Sequence, residues 1–298
     1  MKSINFKQLQ AFVQVADLGS FRRAAEILNT TQPNISARIK NLEAQLDVVL
    51  MDRVVGSVRV TPQGRVLLAQ ARQVLAATDA FVMAAGNDAL LEGILRLGVT
   101  ETIIHSWLGR YVETLNARFP NVSVELLVDL SDNLTAALKD RSIDLAIQSG
   151  PFVDDFSGQV ALDDFPMVWV GAPATAPGPM SFSQLAMQPL MTSARGTEPF
   201  RQVSAHLADA GITTARLVPS SNLSACIKMA EEGLGFACVP RVMVEQNISS
   251  QRLVEIDCGW APNALSFSAR YDAETAPAYA RAAAEVAEEV ANHADPKK

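Results

Sequence analysis

Gly19-Ser20-Phe21-Arg22-Arg23-Ala24-Ala25-Glu26-Ile27-Leu28-Asn29-Thr30-Thr31-Gln32-Pro33-Asn34-Ile35-Ser36-Ala37-Arg38-Ile39 is the stretch on which the N-terminal fold turns. Gly19 interrupts a preceding helical pattern, and Ser20 is suited to cap a helix over residues 21–28. Asn29 tolerates the left-handed conformation that ends a helix, so Asn29-Thr30 makes a very tight connection. Thr31 then caps a further helix with Pro33 in its first turn, where a missing N–H costs nothing. Ile35, Ile39, Leu42 and Leu46 recur at spacings of four, three and four, giving that helix an inward stripe. Upstream, Asn5 and Gln8 have the spacing of a capping box ahead of Leu9, Phe12, Val13 and Ala16. Two helices joined by so short a turn, the second opening with polar residues, read as a helix-turn-helix. An ordinary three-helix bundle with a solvated face is the alternative. In the first reading Gln32, Pro33, Asn34, Ser36 and Ala37 turn away from the stripe, with Arg38 on its flank. Such short polar side chains can reach base edges in a major groove.

Working outward, Asp52-Arg53-Val54-Val55-Gly56-Ser57-Val58-Arg59-Val60 reads as a two-stranded wing turning at Gly56-Ser57. Arg53 and Arg59 are then placed for phosphate contacts, or are solvated hairpin charges. Thr61-Pro62 opens a long helix with Thr as cap and Pro as first residue. Leu67, Ala71, Val74, Thr78, Phe81 and Ala85 recur at four-three-four-three-four, a coiled-coil seam, with Leu68, Leu75 and Val82 as a second apolar line. A helix with two apolar lines and no domain of its own needs a partner, most simply its own copy. Leu67, Val74 and Phe81 are the expected dimerisation residues.

From Gly93 the texture becomes alternating strands and helices, which implies an α/β fold. Strands are expected near 94–99, 122–128, 144–147, 189–192, 216–218, 235–239 and 265–271. Helices are expected over 102–119, 132–139, 199–210, 223–232 and 277–292, and a Gly/Pro-rich loop over 171–179. The 298 residues carry a net charge of -7, split into +3 for residues 1–88 and -10 for the rest, so the two ends suit different partners. No stretch approaches the roughly 18 consecutive apolar residues of a membrane span, and the N-terminus lacks an apolar signal region. Three cysteines are too few for a disulfide framework, which points to a reducing compartment, the cytoplasm.

Gly19-Ser20-Phe21, Ala24-Ala25, Leu28, Gln32-Pro33, Ser36, Ile39, Leu42-Glu43, Leu46, Arg53 and Thr61-Pro62-Gln63-Gly64 together resemble the N-terminal signature of LysR-type transcriptional regulators. Glu231-Glu232-Gly233-Leu234-Gly235-Phe236 through Pro240 resembles the family's second landmark, and the resemblance spans essentially the whole chain. It implies a winged helix-turn-helix DNA-binding domain at 1–60, a linker and dimerisation helix at 61–92, and a two-lobed α/β effector-binding domain at 93–298. The implied fold of that domain is like a periplasmic binding protein, with lobe I about 93–162 plus 266–298 and lobe II about 163–265. The implied partners are double-stranded DNA, a small-molecule effector and further copies of the chain, as a homodimer or a tetramer built from dimers. RNA polymerase is a candidate partner and a membrane is not. The chain departs from the family at Asn34, often a small residue, and at Ala37, often basic. Asn can pair bidentately with adenine, so the departure bears on which bases are read.

Strand C-terminal ends that meet helix N-termini between two lobes favour anions, commonly carboxylates. Hydroxyls fall at such junctions at Thr100, Thr102, Ser131, Thr192, Ser193, Ser220 and Ser221. The resemblance implies effector contacts at Thr100, Thr102, Ser131, Thr192 and Asn222, while N-capping is the simpler role for each. Arg195 could meet a carboxylate bidentately or be a solvated loop arginine. Glu101 sits awkwardly for an anionic ligand, and is expected to point outward or to favour an effector that also carries an amine. Gln148 is a further candidate, and His105 reads as a satisfied surface histidine. Peroxide-sensing members of the family switch through a cysteine pair, but Cys226 and Cys238 read as inert core thiols, and residues 197–207 hold no cysteine. Scattered histidines and unclustered cysteines give no catalytic constellation, metal site or cofactor fingerprint, so an enzyme is not expected. The rival reading is a solute-binding protein of a transport system, which would need a signal peptide and has no use for a helix-turn-helix.

Overall fold

The computed structural model describes residues 4–54, 57–87, 90–176 and 178–293. Helices α1 (Phe6–Leu18), α2 (Phe21–Ile27) and α3 (Gln32–Leu46) form the head. Their ends are set locally. Asn5 and Gln8 exchange backbone-to-side-chain bonds of 3.0 and 2.9 Å, Ser20 accepts from Arg23 N–H, and Thr31 accepts from Asn34 N–H. Asn29, at φ 45°, turns the chain between α2 and α3. Ile35, Ile39 and Leu42 are buried against Ala11, Phe12, Val15 and Ala24. Strands β1 (Met51–Val54) and β2 (Ser57–Val60) pair antiparallel, with Arg53 opposite Val58. The wing's turn at Gly56, and the Arg53 side chain, lie outside the described residues.

Thr61 caps α4 (Pro62–Ala84) by accepting from Gly64 N–H at 2.9 Å, and its hydroxyl donates to the Val49 carbonyl at 2.7 Å. A Cβ on Gly64 would sit 2.3 Å from the Leu50 carbonyl oxygen, so helix and wing approach only through glycine. The seam line of α4 changes environment along its length. Leu67 and Ala71 pack on the head beside Leu68 and Leu75, and Val82 packs on the core of the C-terminal domain, whereas Val74 is 45% and Phe81 77% exposed.

The C-terminal part contains β3 (Gly93–Val99), α5 (Glu101–Ile104), α6 (Leu108–Arg118), β4 (Val122–Val128), α7 (Ser131–Lys139), β5 (Leu145–Ser149), β6 (Gly158–Phe165) and β7 (Met167–Gly171). There follow α8 (Phe182–Leu185), β8 (Leu190–Ser193), α9 (Glu198–Asp209), β9 (Leu217–Ser220), α10 (Leu223–Glu231) and β10 (Phe236–Pro240). The 3-10 turn Arg241–Met243, α11 (Glu245–Ser249), β11 (Val254–Ile256), β12 (Leu265–Tyr271) and α12 (Ala278–Asn292) complete it. One five-stranded sheet runs β4-β3-β5-β12-β6 and the other β11-β7-β10-β8-β9. In each sheet three strands at one end pair in parallel, and the two pairings at the other end are antiparallel. The chain crosses between sheets at Pro166 and returns before Leu265, so two-lobed α/β architecture is borne out. Strand β6 keeps residues 163–165 in the first sheet, a few positions beyond the expected boundary.

Three sequence expectations need correcting. The helix over 102–119 is two helices, because the Ser106 hydroxyl donates to the Ile103 carbonyl at 3.1 Å and Trp107 leaves helical geometry. The break turns Trp107 into the core, edge-on to Tyr111. Strands β6 and β7 stand where the sequence pattern marks none: β6 ends in Asp163-Asp164-Phe165, and β7 is a fully buried apolar run with no alternation to mark it. The elements α8, α11 and β11 are too short to show a period.

Candidate DNA-reading face and effector cleft

The capped start of α3 presents Gln32, Pro33, Asn34 and Ala37 to solvent, with Ser36 and Arg38 half-buried. The Asn34 amide donates to Thr30 Oγ1 at 3.2 Å, holding that side chain over the turn. Arg59 is exposed on the wing. Arg38 stands apart from the open face, lining a cavity of about 450 Å³ between head, α4 and first lobe.

At this junction Asp17 of α1 forms an ion pair with Arg72 of α4 and meets Arg96 of β3 at 3.4 Å. The Asp144 carboxylate accepts from Arg96 N–H at 2.9 Å. Burial pushes the Asp144 carboxyl up to about 6, against the pull of the Arg96 N–H and guanidinium, and burial alone pushes Asp79 up to about 6. Sequence reasoning misses this cluster, because its members lie on elements far apart in the chain.

The lobes meet where α5 faces α10 and the 3-10 turn. Thr100 caps α5 without a side-chain bond, and its Oγ1 is buried with no partner. Thr102 is 3% exposed, its hydroxyl 4.0 Å from Met243 Sδ of the second lobe. Ser131, the first residue of α7, accepts from Ser149 N–H at 3.1 Å and lies 3.2 Å from the Ser149 hydroxyl, tying a strand end to a helix start. Gln148 is fully buried; with its amide nitrogen on the Ser131 carbonyl, its oxygen accepts from Thr135 at 3.0 Å and from Arg270 at 2.9 Å. Arg270, 1% exposed, also stacks on Phe152 with its guanidinium carbon 4.0 Å from the ring centre. In the second lobe Thr192 is fully buried and donates to the Ser193 carbonyl at 3.0 Å.

Asn222 and Arg195, like Ser131 and Thr192, have partners within the chain. Asn222 Oδ1 accepts from Ala225 N–H at 2.7 Å, so Asn222 serves α10 as its N-cap. Arg195 is exposed and lies over the Phe200 ring at 5.3 Å. Glu101 does not point outward: its carboxylate accepts from Leu223 N–H at 2.7 Å and Ser224 N–H at 2.9 Å across the lobe boundary. His105 Nε2 lies 3.1 Å from the Ser224 hydroxyl. No sequence signal could have paired Glu101 with residues 122 and 123 positions away. Among the described residues no group of three or more His, Cys, Asp or Glu is arranged to hold a metal. Burial raises the thiols of Cys226, Cys238 and Cys258, which keeps them protonated.

Two family models match the chain: the bacterial regulatory helix-turn-helix protein, lysR family, over residues 6–65, and the LysR substrate binding domain over residues 88–292. The HTH-type transcriptional regulator GltR of Bacillus subtilis is 26% identical over 84% of each chain. A probable hydrogen peroxide-inducible genes activator of Mycobacterium xenopi is 38% identical, over 48% of this chain and 76% of its own. Among solved structures, a full-length single-residue variant of OxyR from Pseudomonas aeruginosa superposes with a TM-score of 0.68 over 99% of both chains, at 22% identity. Full-length CbnR complexed with its target DNA superposes at 0.51 over 96% of this chain and 99% of its own, at 20% identity. With a capped helix-turn-helix, a linker helix and a two-lobed domain following in order, the chain belongs to the LysR family of DNA-binding transcriptional regulators, which are not enzymes.

Proposed function

We propose that this regulator is switched by a small carboxylate or other small anion bound between the lobes, in the cytoplasm. The observation that carries the reading is the buried, unpartnered Thr100 Oγ1 at the end of β3, beside the lobe boundary. A buried hydroxyl without a partner is costly, and a ligand oxygen would relieve it. Thr102 and Ser131, in the first turns of α5 and α7, and Thr192, near the end of β8, supply further hydroxyls, with Asn222 and Arg195 at the rim. Gln32, Pro33, Asn34 and Ser36 would read bases and Arg53 and Arg59 would meet phosphates, while Arg38 is turned to the junction cavity. The exposed Val74 and Phe81, with Leu67, mark the face of α4 that pairs with a second copy, either as a dimer or within a dimer of dimers. Helix α4 has the length and hydropathy of a membrane-crossing segment. Arg65, Arg72 and Asp79 along it, and the Arg72–Asp17 ion pair, suit a helix between protein surfaces better. RNA polymerase would meet the assembly on DNA.

Footprinting in the presence of small carboxylates tests the reading. The expected result is a shifted footprint and a raised melting temperature with one of them, both lost in Thr100→Val. In the same assay Gln32→Ala is expected to cost about 1–3 kcal/mol on its preferred operator and to relax preference at one base position. No response to any carboxylate, with unchanged behaviour of Thr100→Val, would sink the effector assignment. The cysteines offer no competing reading, since their thiols are buried and residues 197–207 contain none.

A further inference from the structure

We propose that Glu101 is a built-in competitor of the effector: its carboxylate occupies the N-terminal N–H groups of α10 across the lobe boundary, and an incoming carboxylate must displace it. The inference rests on the carboxylate reading above and adds how that site is regulated.

Both oxygens of Glu101 are engaged. Oε2 accepts from Leu223 N–H at 2.7 Å, and Oε1 accepts from Ser224 N–H at 2.9 Å and from the Ser224 hydroxyl at 2.5 Å. The Ser224 proton is therefore committed to Glu101, so His105 Nε2, 3.1 Å from the same hydroxyl oxygen, must be the protonated ring nitrogen and donate. Asn222 takes the next amide, Ala225 N–H. The first three N–H groups of α10 are thus all satisfied within the chain, two of them by a residue of the opposite lobe. The positive end of a helix accepts any carboxylate, and Glu101 provides one tethered in place.

A tethered ligand competes at an effective concentration set by its tether, which for a short rigid link is high. Glu101 lies next to Thr100, whose buried Oγ1 has no partner. A free carboxylate that takes over the Leu223 and Ser224 N–H groups releases Glu101 to water. Exchange of one carboxylate for another then loosens or resets the tie between the lobes, because the effector is not covalently part of α5. The differential affinity of ligand for the released and latched states drives the switch.

Amide hydrogen exchange of the full chain tests this, with acetate as the probe anion. In Glu101→Ala the Leu223 and Ser224 amides are expected to exchange at least about tenfold faster than in the wild type, while Tyr111 and its neighbours in the first-lobe core stay unchanged. Acetate is expected to restore protection at those two amides in Glu101→Ala at concentrations that leave the wild type unaffected. Glu101→Gln, which keeps an acceptor without the charge, should fall between. Unchanged exchange at Leu223 and Ser224 in Glu101→Ala would overturn the latch. Faster exchange that acetate does not reverse would overturn the anion competition. Acetate protection without any footprint response to carboxylates would support the latch and its exchange, and would sink the carboxylate effector of the proposed function instead.

Discussion

Among the described residues, the carboxylates of Asp17 and Glu101 cross a boundary, and they find opposite kinds of partner. Asp17 joins the head to the linker and first lobe by pairing with two guanidinium groups, its side chain only 10% exposed. Glu101 joins first lobe to second by accepting from backbone N–H groups and one hydroxyl, its side chain 19% exposed. Removing Asp17 takes the ion-pair partner from two nearly buried guanidinium groups, Arg72 and Arg96. Removing Glu101 leaves a neutral helix end that water or another anion can serve. The first boundary is therefore fixed by charge and the second is open to exchange, as a scaffold and a switch should be.

The largest effect expected from this contrast is at Asp17. Asp17→Ala should lower stability in urea by about 3–5 kcal/mol, because breaking a buried pair costs more than the pair contributed. Double replacement with Arg96→Met should recover part of the loss, since one of the stranded charges is then gone. A loss below about 1 kcal/mol would show the junction to be solvated and would erase the contrast with Glu101.

A smaller effect, with a definite pH window, comes from the same junction. Asp144 and Asp79 are pushed up from 3.8 to about 6 by burial. A carboxyl whose pKa is raised on folding binds its proton more tightly in the folded state. Stability from these groups is complete below about pH 4, falls as pH rises towards about 6, and is lost above it. Asp144→Asn keeps an acceptor for Arg96 N–H but no charge. It should stabilise the protein at about pH 7.5 by on the order of 3 kcal/mol and change little at about pH 3.5. Melting temperatures of wild type and variant across that range should converge towards the acid end. Parallel curves would show that the Asp144 carboxyl is not raised on folding.

Legibility in the sequence follows how local each interaction is. The α2–α3 turn is readable because Ser20, Asn29 and Thr31 each act within a few residues of themselves. The apolar lines of α4 are readable as lines, but the point along the seam where packing on the head gives way to exposure at Val74 and Phe81 is not. Strand β7 is hidden because a run buried on both faces carries no period. At the cleft, hydroxyls at strand ends can be found from the chain alone. The role of Glu101 cannot, because its meaning depends on where α10 lands after a long stretch of chain has folded between them. Asn222 has a local signal, an Asn directly before an apolar helix, and capping is the role it has. Arg195 finds Phe200 five residues on, a contact that a loop pattern does not reveal.

The smallest effect separates the two boundaries most cleanly. Ser224→Ala removes one neutral hydroxyl from the Glu101 carboxylate and leaves both backbone N–H bonds in place. A single such bond is worth about 0.5–1.5 kcal/mol, towards the upper end or beyond when the acceptor is charged. The variant also strips His105 Nε2 of its acceptor, but that ring is half exposed and water takes over. Ser224→Ala and His105→Ala should be coupled by no more than about 0.5 kcal/mol in a double-mutant cycle, since the bond they share is exposed and water replaces it. Asp17→Ala combined with Ser224→Ala should be additive, because the two junctions share no partner. Salt sharpens the distinction: the cost of Ser224→Ala should hardly change with ionic strength, the lost bond being short and between a fixed helix end and its cap. Coupling between Asp17 and Ser224 would mean that head docking and lobe closure are one transition, in which case the exchangeable latch would reach the DNA-reading helix directly through the ion-paired junction.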